Sequence, residues 1–122
     1  MTTTSSLVSV VDDDESVRES LPDLLREFGF AVRAFSSAEE FLASDCTDQT
    51  KCLILDVGMP GMTGPELQHE LKQRGQTIPI IFITALRDET IRSQVLGAGA
   101  IDCLFKPFSE TALSDAVNAA LG

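Results

Sequence analysis

A chain of 122 residues, 43% of them hydrophobic, fits one domain and is long enough to bury a substantial core. Nine basic against nineteen acidic residues leave a formal charge of −10, which excludes direct nucleic-acid binding by these residues, because that affinity is carried by cations on phosphates. No apolar run approaches the roughly 18 residues a membrane-spanning helix needs, and the N-terminus lacks the basic and long apolar segments of a secretory signal. The expected compartment is therefore the cytoplasm. Residues 1–6 read as a disordered lead-in and 7–122 as one folded domain. Cys46, Cys52 and Cys103 are odd in number and form no C-x-x-C pair, so reduced, partly buried thiols are expected.

Along the chain, short apolar runs alternate with helical patterns. Leu7–Val11, Ala31–Phe35, Cys52–Leu55, Ile78–Ile83 and Ile101–Phe105 are the runs, several of them rich in Val and Ile and nearly continuously apolar, as in strands covered on both faces. After the first run, Val17, Leu21, Leu24, Leu25 and Phe28 keep helical spacing up to Gly29, although Pro22 inside this pattern should kink or restart the helix. Ser36-Ser37-Ala38-Glu39 predicts a capping box ahead of Phe41 and Leu42. Gly64-Pro65 opens a third helix carrying Leu67 and Leu71. Ile91, Val95 and Leu96 mark a fourth, ended by Gly97 or Gly99, and Ser109 caps a fifth through Leu113, Ala116, Val117, Ala120 and Leu121. Five βα units predict a (βα)5 sandwich, a parallel sheet with helices on both sides.

Ligands of open parallel sheets bind outside the carboxyl ends of the strands. Here the first strand ends in Asp12-Asp13-Asp14-Glu15, the third in Asp56, the fourth in Thr84 and the fifth in Lys106-Pro107. Asp12, Asp13 and Asp56 sharing one site would repel one another, and a hard divalent cation such as Mg2+ relieves that repulsion. One Asp56 oxygen then remains as a nucleophile toward a phosphoryl group, with Thr84 and Lys106 to stabilise its oxygens. Asp14 and Glu15 read instead as helix N-terminal acids.

These residues fall in four ordered motifs: Val10-Val11-Asp12-Asp13, Leu53 through Gly64 with its D-x-x-M-P-G-M-x-G stretch, Ile83-Thr84-Ala85, and Lys106-Pro107-Phe108. Over the whole chain they resemble the receiver domain of two-component response regulators, with wording closest to the FixJ/NarL type. The resemblance implies strand order 2-1-3-4-5 and phosphorylation of Asp56 by a histidine kinase. It implies Mg2+ held by Asp13, Asp56 and the Gly58 carbonyl, with Asp12 acting through water, and a cis Lys106–Pro107 peptide. It also implies a regulatory phospho-acceptor that catalyses only its own phosphorylation and dephosphorylation. Thr84 would switch the surface made by the fourth helix, fifth strand and fifth helix, through which a phosphorylated homodimer could form. At the second switch position, where relatives place an aromatic ring, this chain has Cys103, which cannot swing as a ring does; Leu86 or Phe105 could take that part.

The implied whole is the regulatory domain of a transcriptional regulator whose DNA-binding domain lies elsewhere, or alternatively a stand-alone regulator or phosphorelay protein. A flavodoxin-like electron carrier is disfavoured because four acids stand where a phosphate-cradling loop is needed. A phosphatase acting through Asp12 would need a larger chain. An EF-hand fails for lack of its Gly and distal Glu. His69 reads as a helical surface residue, and Met59 and Met62 as loop packing.

Overall fold

The computed structural model describes residues 6–122, so the expected lead-in falls outside it except at Ser6, whose carbonyl accepts the Ala31 amide. Elements alternate as β1 (Leu7–Val11), α1 (Glu15–Glu27), β2 (Ala31–Phe35), α2 (Ala38–Ala43), β3 (Thr50–Asp56), α3 (Gly64–Gln73), β4 (Ile80–Thr84), α4 (Glu89–Gly97), β5 (Asp102–Phe105) and α5 (Glu110–Leu121). The five strands pair in parallel in the order β2-β1-β3-β4-β5, as the resemblance implied.

Alternation along the strands divides the interior into two layers. Val11, Leu53, Leu55, Phe82 and Cys103 face Phe41 of α2, Leu67 and Leu71 of α3 and Val95 of α4. Val8, Val10, Ile54, Ile81 and Ile83 face Leu21 and Leu25 of α1 and Leu113 and Val117 of α5. Central β3 is buried on both sides apart from Lys51, which explains its continuous apolar reading. β4 starts at Ile80, two residues later than expected, directly after Pro79, which has no amide to give a ladder.

Every helix starts on a side chain that accepts a backbone amide: Asp14, Ser37, Thr63, Asp88 and Ser109. Two local expectations are corrected. The cap of α2 is Ser37 with Glu40, one residue later than Ser36 with Glu39; the Glu40 carboxylate reaches back to the Ser36 amide. Both registers satisfy S-x-x-E, and burial of Ala38 and Phe41 selects the later one. Pro22 does not restart α1, which runs unbroken through it. Pro22 is buried on the same helix as Leu21 and Leu25, and burial offsets the hydrogen bond it cannot make.

Candidate functional site

The chain order reverses between β1 and β3, so their carboxyl ends open a crevice in the sheet. Asp12 follows β1 and is fully buried. Its amide donates to the Phe35 carbonyl, its Oδ1 accepts the Asp14 amide at 2.9 Å, and its Oδ2 accepts Lys106 Nζ at 3.1 Å. Arg18 Nη1 donates to its backbone carbonyl at 3.0 Å. Asp13 is exposed beside it, and Asp56 closes β3 in a nearly buried position, its Oδ1 4.0 Å from Lys106 Nζ.

One carboxylate oxygen from each of Asp12, Asp13 and Asp56 lies within 4.8 Å of the others. Together with Gly58, Thr84 and Lys106 they line a cavity of about 450 Å³. Burial, then the neighbouring Asp12 charge, pushes the Asp56 carboxyl up to about 7; Lys106 opposes this and Asp13 adds to it. Three acids against one ammonium leave an excess of negative charge among hard oxygen donors, a set that fits Mg2+.

Thr84 ends β4, is buried, and its Oγ1 accepts the Leu86 amide at 3.0 Å, which leaves the hydroxyl proton for another acceptor. The Lys106 amide donates to the Thr84 carbonyl at 2.8 Å, and the Lys106–Pro107 peptide is cis. Asp14 caps α1, where hydrogen bonds from the Ser16 side chain and amide hold its carboxyl below the usual range. It is a helix-terminal acid, as its position in the sequence indicated.

Cys103 is not brought to the site. It is 3% exposed on β5 beneath α4, and burial pushes its thiol up. Its amide donates to the Asp102 carboxylate at 2.7 Å and its carbonyl accepts Arg92 Nε at 3.4 Å, while Arg92 and Asp102 pair at 3.6 Å. Phe105, two residues on and so on the same face, is in register with Thr84 and has the Arg87 guanidinium 5.5 Å from its ring centroid. Arg18 and Arg92 were not singled out from the sequence, because a lone charged residue on a helix carries no motif; Glu39, expected in a capping box with Ser36, instead accepts the Met62 amide on its carboxylate.

Residues 8–118 match the family model of the response regulator receiver domain. This chain belongs to that family. The receiver is 47% identical over 117 residues to nodulation protein W of Bradyrhizobium diazoefficiens, covering 96% of this chain and 52% of that protein. It is 42% identical to the transcriptional regulatory protein FixJ of Azorhizobium caulinodans, covering 94% and 54%. The receiver thus spans about half the length of the curated relatives it matches. Among solved structures, FixJ-N superposes with a TM-score of 0.86 at 37% identity, covering 99% of this chain and 95% of that one. The FixJ-type wording of the motifs agrees with these relatives, and the flavodoxin-like electron carrier is not supported. No helix among the described residues is long and apolar enough to cross a membrane.

Proposed function

We propose that this receiver accepts a phosphoryl group on Asp56 from the phosphohistidine of a partner histidine kinase, in the cytoplasm, with Mg2+ at the adjoining acids. The observation that carries the reading is the difference between its two buried carboxylates. Asp12 is held at both oxygens, by the Asp14 amide and by Lys106, whereas Asp56 meets Lys106 only at 4.0 Å and faces the cavity. The same difference argues against a phosphatase acting through Asp12.

In the transfer, an Asp56 oxygen bonds to phosphorus as the phosphorus–nitrogen bond breaks, and the departing imidazole keeps the electron pair and takes a proton from solvent. Thr84 donates its free hydroxyl proton to a phosphoryl oxygen, and Lys106 pairs with another. Asp13, Asp56 and the Gly58 carbonyl would hold Mg2+, with Asp12 acting through water; when bound, the ion neutralises charge on the transferring group. Attack by water at phosphorus later restores Asp56, so the chain catalyses only its own modification and its reversal.

Once Thr84 turns to the phosphoryl group, the Leu86 amide loses its acceptor, and the segment leading into α4 is free to rearrange. Phe105, in register with Thr84, takes the part that Cys103 cannot, and the α4–β5–α5 face becomes the surface for a homodimer. The receiver serves as the regulatory domain of a transcriptional regulator, with DNA contacted by residues outside this chain. Incubation with acetyl phosphate and Mg2+ should add one phosphoryl group to the wild type and none to Asp56→Asn, read by intact mass. Equal labelling of both proteins would move the acceptor elsewhere.

A further inference from the structure

Residues 57–63 connect Asp56 to α3 and carry Gly58 past the cavity. Three fastenings fix the path of this loop. At its base the Gly64 amide donates to the Val57 carbonyl at 3.0 Å, and a Cβ on Gly64 would collide with the Asp56 carbonyl. In its middle, Val57 and Met59 are buried in the same apolar layer as Phe41 of α2. At its tip, where Gly61 turns with φ of 75°, the Met62 amide donates to Glu39 Oε2 at 3.2 Å.

The Glu39 carboxylate lies close over that tip. A Cβ added to Gly61 would stand 2.7 Å from the same Oε2, so the turn is shaped to receive the acid. Glu39 is free for this task because Glu40, not Glu39, answers the Ser36 amide at the start of α2. It is also delivered by an anchored element: Ala38 and Phe41, on either side of it in α2, are fully buried. Among the described residues, the other side-chain hydrogen bonds of this loop join Thr63 to Glu66 in the first turn of the adjoining α3, so Glu39 is the one that reaches it from an element it does not run into.

We infer that Glu39 is a positioning residue for the Asp56 site: by holding the Met62 amide it fixes the arc that presents Gly58, and so sets how well the site binds its cation. The inference rests on the Asp56–Mg2+ reading above. A carbonyl ligand held in place before the ion arrives need not be ordered at binding, and the saving appears as affinity. Glu39 does this from outside the cavity, without touching the ion.

The test separates the hydrogen bond from the charge. In Glu39→Ala the Mg2+ dissociation constant, from isothermal titration, should rise by about two- to tenfold, the usual worth of one such bond. Hydrogen exchange at the Met62 amide, measured without metal, should quicken to match. Glu39→Gln keeps an acceptor oxygen and loses the charge, so it should stay within about twofold of wild type in affinity and retain Met62 protection. Equal losses in Ala and Gln variants would show long-range electrostatics and overturn the assignment, as would wild-type affinity and exchange in Glu39→Ala. If Mg2+ binding proved indifferent to Asp56→Asn, the site reading would fail instead, while Met62 exchange would still decide whether Glu39 holds the loop.

Discussion

The two ends of this sheet are built to different standards. At the β1–β3 end, Asp12 is tied through amide, carbonyl and both carboxylate oxygens, and α1 and α3 press Leu21, Leu25, Leu67 and Leu71 into the core. At the β4–β5 end, α4 sinks a single buried residue, Val95, with half-buried Ile91 packed beside it, and is held further by polar contacts: Gln68 to the Val95 carbonyl at 3.2 Å and Arg92 to Cys103 and Asp102. Chemistry needs groups fixed before the reaction, whereas a responsive surface needs an element whose position costs little to change. One short segment, residues 85–88, joins Thr84 to α4 and so links the two regimes.

Cysteines on opposite faces of the sheet allow this contrast to be broken most sharply. Cys52 is fully buried against the α1–α5 side and Cys103 lies under α4. Overpacking a core costs about 1–3 kcal/mol, sometimes more. Cys52→Phe should reach or exceed the top of that range in denaturant unfolding, and Cys103→Phe should fall near its bottom because α4 can yield. Equal costs would mean that α4 is held as firmly as the rest.

A smaller effect concerns protons at the rigid end. The Asp56 carboxyl sits at about 7, above an ordinary carboxylate, so the metal-free folded protein keeps a proton that the unfolded chain has already released. Stability from this group is therefore present at low pH and lost as pH rises through about 7. Mg2+ needs the carboxylate ionised, so its affinity should strengthen by about tenfold between about pH 6 and about pH 8, read by titration calorimetry. A flat profile would place the metal away from Asp56.

Smallest is the strap on α4. Arg92 and Asp102 are both more than a third exposed, so Arg92→Met should cost only about 0.2–1 kcal/mol in global unfolding. It should nonetheless quicken exchange across α4 while leaving amides of β1 and β3 unchanged. Uniform acceleration over the whole chain would dissolve the distinction between the two ends.

Much of this was legible before any coordinates. Strands buried on both faces write continuous apolar runs, and a cap such as Ser109 marks a helix start with a chemistry of its own. Asp12, Asp56, Thr84 and Lys106 could be singled out because each directly follows or ends an apolar run, where parallel sheets gather their ligands, and Asp13 because it adjoins Asp12 there. The unbroken helix through Pro22 and the later cap at Ser37 were decided by burial, which local patterns do not record. Glu39 with Met62, and Arg92 with Cys103, pair residues from different elements, and nothing in spacing announces such a bond.

The central claim is that one cation and one modifiable carboxylate share the cavity at the β1–β3 crevice. A crystal structure with Mg2+ and beryllium fluoride tests it most directly. The account predicts fluoroberyllate on an Asp56 oxygen, contacted by Thr84 and Lys106, with the ion between Asp13, Asp56 and the Gly58 carbonyl. Fluoroberyllate on another residue, or the ion bound away from these three, would contradict it.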